Sequence, residues 1–114
     1  MEINREIIQF LLESTGAICI EAVNGIEGVM LYKHEPLKYD LILMDIQMPK
    51  MDGFEATKII RESNNPNAKI IPIIALTANV FAEQVQDILK AGMNSHLGKP
   101  IDDLELKRGL KEYL

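Results

Sequence analysis

The sequence predicts an α/β protein in which a doubly wound parallel sheet carries helices on both faces. Three observations predict it. Short apolar runs alternate with segments of helical spacing along the chain, as βα repeats require. Residues 41–44 contain no polar side chain, which suits a strand buried on both faces of a parallel sheet. That run ends abruptly in an acid, Asp45, and the chain then turns through Pro49 and Gly53.

Taken in order, the elements are as follows. Ile3, Ile7, Ile8, Leu11 and Leu12 recur at helical spacing, so residues 3–14 read as an amphipathic helix that Gly16 ends. Residues 17–23 form a short strand. Asn24-Gly25 has hairpin character, yet Ile26, Val29, Met30 and Tyr32 follow at helical intervals, so Asn24 is read as an N-cap. Glu35-Pro36 breaks this helix, and residues 39–45 form the next strand. A helix over 54–63 uses Phe54, Ile59 and Ile60 as its apolar side. Asn64-Asn65-Pro66-Asn67 is loop chemistry. Residues 70–76 read as a strand, and roughly 80–91 as a helix with Val80, Phe81, Val85, Ile88 and Leu89 at its apolar positions. Gly92 is placed at that helix's C′ position. Ser95–Gly98 is a short strand, and Asp102 or Asp103 caps a last helix ending near Tyr113. The total is four strands and five helices joined by right-handed crossovers.

Composition bounds the function. A chain of 114 residues suits one domain with a real core, and 47% hydrophobic with 25% charged residues is ordinary for a soluble globular protein. The net charge of −5 and the absence of a basic block argue against binding nucleic acid or anionic membranes. No signal peptide or bilayer-length apolar run is present. Cys19 is the sole cysteine, which excludes an intramolecular disulfide and fits a cytoplasmic protein; it reads as a small core residue. Without a cysteine or second histidine at ligand spacing, a zinc site is not expected. His34 follows Lys33 near a helix end, where positive charge suits the dipole.

Three strand-like segments each deliver one polar group at the same end: the Asp45 carboxylate, the Thr77 hydroxyl and the Lys99 ammonium. In open α/β sheets, ligands and chemistry collect at the carboxyl ends of the strands. The set matches the needs of an aspartyl phosphate: a carboxylate nucleophile, a hydroxyl bonded to one phosphoryl oxygen and an ammonium paired with another. Singly, each residue has a plainer reading. Asp45 caps a turn, Thr77 caps the following helix, and Lys99 is a solvated strand-end lysine. Their order and matching strand ends favour the chemical reading.

These residues carry a resemblance. Asp45 with Met48-Pro49-Lys50-Met51-Asp52-Gly53, then Ala75-Leu76-Thr77-Ala78, Ala91-Gly92-Met93-Asn94 and Lys99-Pro100-Ile101 make the chain similar to receiver domains of two-component response regulators, the CheY-like family. The likeness is greatest to receivers appended to hybrid histidine kinases and runs from Glu2 to the C-terminus. It implies a CheY-like (flavodoxin-like) fold with strand order 2-1-3-4-5. It further implies that Asp45 accepts a phosphoryl group from a kinase phosphohistidine, and that Thr77 and Lys99 contact it. His96, three residues before Lys99, stands where the family has a rotamer-switching aromatic ring; its plain reading is a rim histidine bonded to water. The Lys99–Pro100 peptide is expected to be cis by the same resemblance, against an ordinary trans proline ending a strand.

The chain also departs from the family. It opens Met1-Glu2-Ile3-Asn4-Arg5, which resembles the start of the first receiver helix, so the expected first strand and its acidic pair are missing. In the family that pair carries Mg2+, which takes oxygen ligands in octahedral geometry. The resemblance carries over two metal ligands, the Asp45 carboxylate and the Gln47 backbone carbonyl. The site is therefore expected to be a receiver site with its metal half removed. The lost strand belongs inside the sheet, so either residues 17–23 pair directly with 39–44 or a second copy fills the gap as a homodimer. Two functions compete: a phosphoryl acceptor served by a histidine kinase or phosphotransfer domain, and a pseudo-receiver for phosphorylation-independent binding or dimerisation. An aspartate-nucleophile phosphatase is disfavoured, because Gln47 stands where such enzymes carry a second aspartate.

Overall fold

The computed structural model describes residues 19–20, 24–46, 51–77, 82–98 and 103–113. Four parallel strands form one sheet in the order β1-β2-β3-β4: Cys19–Ile20, Leu41–Asp45, Ile73–Thr77 and Ser95–Gly98. Parallel neighbours demand crossovers, and the connections supply helices. These are α1 (Gly25–His34), α2 (Gly53–Glu62), α3 (Ala82–Lys90) and α4 (Asp103–Tyr113), with a 3-10 turn at Pro36–Lys38. The predicted helix over 3–14 lies outside the described residues, so four α-helices stand against the five expected.

Cys19 faces Leu41 and Ile20 faces Ile42 in register. Cys19 and Ile20 therefore pair directly with the first two residues of β2. β2 then faces β3, with Ile42 opposite Ile73 and Asp45 opposite Leu76, and β3 faces β4, with Ala75 opposite His96.

The strand residues alternate between two cores. Ile42, Met44, Ile73 and Ala75 pack with Val29 and Tyr32 of α1, Ala56 and Ile60 of α2 and Ile88 of α3. Leu41, Ile74, Leu76 and Leu97 pack on the other face with Leu106 and Leu110 of α4. The sheet is thus covered on both sides, and β3 is buried at all five positions, as an unbroken apolar strand should be.

Several boundaries differ from expectation for visible reasons. The strand read over 70–76 starts at Ile73, because the Ile70 and Ile71 amides both donate to the Asn67 carbonyl in a turn. Pro72 lacks a donor but its carbonyl accepts the Ile42 amide at 2.9 Å, leading into the ladder. The helix read over 54–63 runs Gly53–Glu62, since Asp52 caps it by accepting the Glu55 amide at 2.9 Å. On α1 the buried stripe is Gly25, Gly28, Val29 and Tyr32, while Ile26 and Met30, which share the apolar helical spacing, face solvent. Leu89 of α3 is likewise exposed. The Asn24 cap is as read: its Oδ1 accepts the Glu27 amide at 2.9 Å.

The C-terminus of α3 is a Schellman motif. The Met93 amide donates to the Ile88 carbonyl and the Gly92 amide to the Leu89 carbonyl, with Gly92 at φ 102° as the C′ residue. Its hydrophobic contact is the usual one, since Ile88 and Met93 are both buried in the same core. This turn delivers the chain into β4 at Ser95.

Candidate functional site

Asp45 is the last residue of β2 and is partly exposed. Thr77 is the last residue of β3 and is 4% exposed. Because the strands are parallel, both side chains emerge at the same edge of the sheet. They are not direct partners: Asp45 faces Leu76, and Thr77 lies one residue further along, facing Gly98 of β4. Lys99 follows Gly98 immediately in sequence, so the chain reaches this edge from the third strand too; Lys99 and Pro100 themselves lie outside the described residues.

The backbone around Asp45 is tightly held. The Ile46 amide donates to the Leu76 carbonyl at 3.1 Å, carrying the ladder one step past the carboxylate. Further along, the Gly53 amide donates to the Ile46 carbonyl at 3.0 Å. Gly53 is needed there: a Cβ would stand 2.5 Å from the Asp45 carbonyl oxygen and 2.9 Å from Ile46 Cα. Backbone against backbone leaves no flexible group to yield. Asp52, just before it, caps α2, so the loop is anchored at both ends. Sequence reading placed Gly53 in the turn but missed its approach to Asp45 and the Asp52 cap; the Asp52-x-x-Glu55 spacing was the available signal.

Among the described residues, no three His, Cys, Asp or Glu side chains form a group able to hold a metal ion. Asp45 supplies a single carboxylate, and Mg2+ requires an octahedral oxygen shell. The described residues alone do not fit the ion, and Gln47, whose carbonyl was expected to contribute, lies outside them.

The chain matches the response regulator receiver domain family over residues 1–111. It belongs to that family. A 14.6 kDa protein of Leptolyngbya boryana, uncharacterised, is 41% identical over 109 residues, covering 96% of this chain and 80% of that protein. The sensor histidine kinase GacS of Pseudomonas protegens is 38% identical over 104 residues, which is 90% of this chain and 11% of the kinase. This chain thus spans a small part of the kinases it matches. Among solved structures, the receiver domain of a Pseudomonas aeruginosa sensor histidine kinase, with a magnesium ion coordinated in its active site cleft, is 37% identical. The TM-score is 0.84, with 99% of this chain and 89% of that one covered. The chemotaxis protein CheY4 of Vibrio cholerae is 27% identical with a TM-score of 0.86, covering 100% and 91%.

As a receiver, the chain has the CheY-like parallel sheet, and a homologous receiver holds Mg2+ in its cleft. His96 of this receiver lies on β4, two residues before the strand ends, and is partly buried. Its register partner is Ala75, whose face of the sheet is covered by α1, α2 and α3. His96 is thus set back from the edge where Asp45 and Thr77 end their strands.

Proposed function

We propose that this receiver accepts a phosphoryl group on Asp45 from a phosphohistidine of a histidine kinase or phosphotransfer domain. An Asp45 carboxylate oxygen attacks phosphorus, the P–N bond breaks, and its electron pair stays on the imidazole nitrogen of the donor. The Thr77 hydroxyl donates to one phosphoryl oxygen and the Lys99 ammonium pairs with another, opposing the charge that builds there. The observation that carries this reading is the shared strand-end edge: Asp45 and Thr77 close neighbouring parallel strands, and Thr77 faces the residue that precedes Lys99.

Phosphorylation then acts as a local charge change on a two-state surface, read out through Thr77, His96 and the neighbouring helix α3. A further element of this reading is that phosphoryl transfer is slow compared with a receiver whose metal site is complete, since no three His, Cys, Asp or Glu side chains among the described residues form a group able to hold a metal ion. No helix of the described residues is long and apolar enough to cross a membrane. The reading places the receiver in the cytoplasm, where a kinase phosphohistidine is presented.

The same lack of a three-ligand group among the described residues favours a second reading, a pseudo-receiver that binds or dimerises without phosphorylation. Incubation with acetyl phosphate, with and without Mg2+, followed by intact-mass measurement, separates the two. A phosphoryl adduct absent from Asp45→Asn supports the acceptor. No adduct in either condition, with a concentration-dependent dimer, supports the pseudo-receiver.

A further inference from the structure

The amide of Gly25, the first residue of α1, donates to the carbonyl of Met51 at 3.1 Å. That amide is one of the helix-start donors for which the helix itself has no acceptor. Its neighbour in the first turn is satisfied separately, since Asn24 Oδ1 accepts the Glu27 amide. Gly25 is also in van der Waals conflict with any side chain: a Cβ would stand 2.3 Å from the Met51 carbonyl oxygen and 2.9 Å from its carbonyl carbon. The contact is therefore backbone on backbone, with no room for adjustment.

Met51 belongs to the loop that follows Asp45. Two residues later Gly53 donates to Ile46 and packs on the Asp45 carbonyl. A continuous run of main-chain contacts thus leads from the start of α1, through Met51 and Gly53, to the backbone that carries the Asp45 carboxylate. Met51 is partly buried against the core that α1 and α2 share, so the loop is clamped from the side as well as from its ends.

We propose that Gly25 is a positioning residue for phosphoryl transfer, setting the Asp45 loop through the Met51 carbonyl. The proposal rests on the reading that Asp45 accepts the phosphoryl group. It adds that α1, which bears none of the reacting groups, holds the loop in the geometry the transfer uses. Adding a Cβ at Gly25 must push the Met51 carbonyl aside. A displacement of that size near a reacting group costs on the order of ten- to a hundredfold in rate.

The test compares Gly25→Ala with Val29→Ala. Val29 lies on the buried stripe of the same helix, so its truncation weakens α1 without placing a Cβ against the Met51 carbonyl. With acetyl phosphate as donor, Gly25→Ala is expected to form the adduct about tenfold or more slowly, and Val29→Ala within about twofold of the parent. In 15N–1H spectra of the unphosphorylated chain, Gly25→Ala shifts the Ile46, Asp52 and Gly53 amides, and Val29→Ala leaves them in place. Equal rates and equal spectra for the two variants overturn the proposal. If the parent forms no adduct, the acceptor reading fails and the spectra alone decide whether Gly25 sets the loop. If Gly25→Ala does not fold, hydrogen exchange on the parent decides: a protected Gly25 amide supports the contact, and exchange at the unstructured rate overturns it.

Discussion

The guanidinium of Arg61 donates to Asn94 Oδ1 at 2.9 Å, and the same oxygen accepts the Ile73 amide at 2.9 Å. One side-chain oxygen thereby joins α2 to the first residue of β3 and to the turn entering β4. Arg61 also donates through Nε to the Gly92 carbonyl and through Nη1 to the Ala68 carbonyl, while the Asn94 carbonyl accepts the Tyr113 hydroxyl. The network holds the amino ends of β3 and β4, opposite the edge where Asp45 and Thr77 stand.

Arg61→Met removes three donors and strands two backbone carbonyls. Hydrogen bonds from a charged group contribute about 1.5–3 kcal/mol, so the variant should lose about 2–3 kcal/mol in urea denaturation. Arg61→Lys should recover less than half of that, because a single ammonium does not span the fork of acceptors that a planar guanidinium reaches.

Thr57 is fully buried on α2, and its hydroxyl has no hydrogen-bond partner among the described residues. An unsatisfied buried hydroxyl costs about 1–3 kcal/mol, so Thr57→Val, which keeps the shape, should leave stability unchanged or raise it by about 1 kcal/mol. Thermal denaturation of the two chains checks this.

Tyr32 is fully buried and donates its hydroxyl to Asn67 Oδ1, whose amide in turn donates to the Pro36 carbonyl at 2.8 Å. Burial raises the phenol above its ordinary pKa of 10.0, with the Arg61 guanidinium pulling partly the other way. A raised value in the folded state means that folding favours the protonated phenol. That contribution is present below the unfolded pKa and is lost as pH rises through the folded one. Stability should therefore fall above about pH 10, and Tyr32→Phe should flatten that fall while costing about 1 kcal/mol near neutrality.

Gly53→Ala tests the loop closure directly. With a Cβ 2.5 Å from the Asp45 carbonyl oxygen, the loop must open or β2 must shift. Overpacking of this kind costs about 1–3 kcal/mol, and adduct formation should fall further than that loss of folded protein explains.

How much of this was legible in the sequence depended on whether the signal was local. Asn24, Gly92 and the limits of β4 at Ser95 and Gly98 were readable, because caps and turn residues act within one turn of themselves. The apolar run at Ile70 and Ile71 misled, because hydrophobicity alone does not reveal that the Asn67 carbonyl captures both amides. Ile70 ends 75% exposed. The strand ends bearing Asp45 and Thr77 were readable from where apolar runs stop. The Gly25–Met51 and Arg61–Asn94 contacts were not, since each joins residues far apart in sequence that only the packing of α1, α2 and β4 brings together. The register of Cys19 with Leu41 was not readable either, because two apolar runs carry no signal for which residues pair.

The central claim is that Asp45 carries the phosphoryl group, and reductive trapping tests it most directly. Borohydride converts an aspartyl phosphate to homoserine, which peptide mass spectrometry locates by residue. After treatment with acetyl phosphate and Mg2+, homoserine at position 45, and its absence without the phosphodonor, is the predicted result. Homoserine at Asp40 or Asp52 instead, or at no position while the chain is folded, would contradict it.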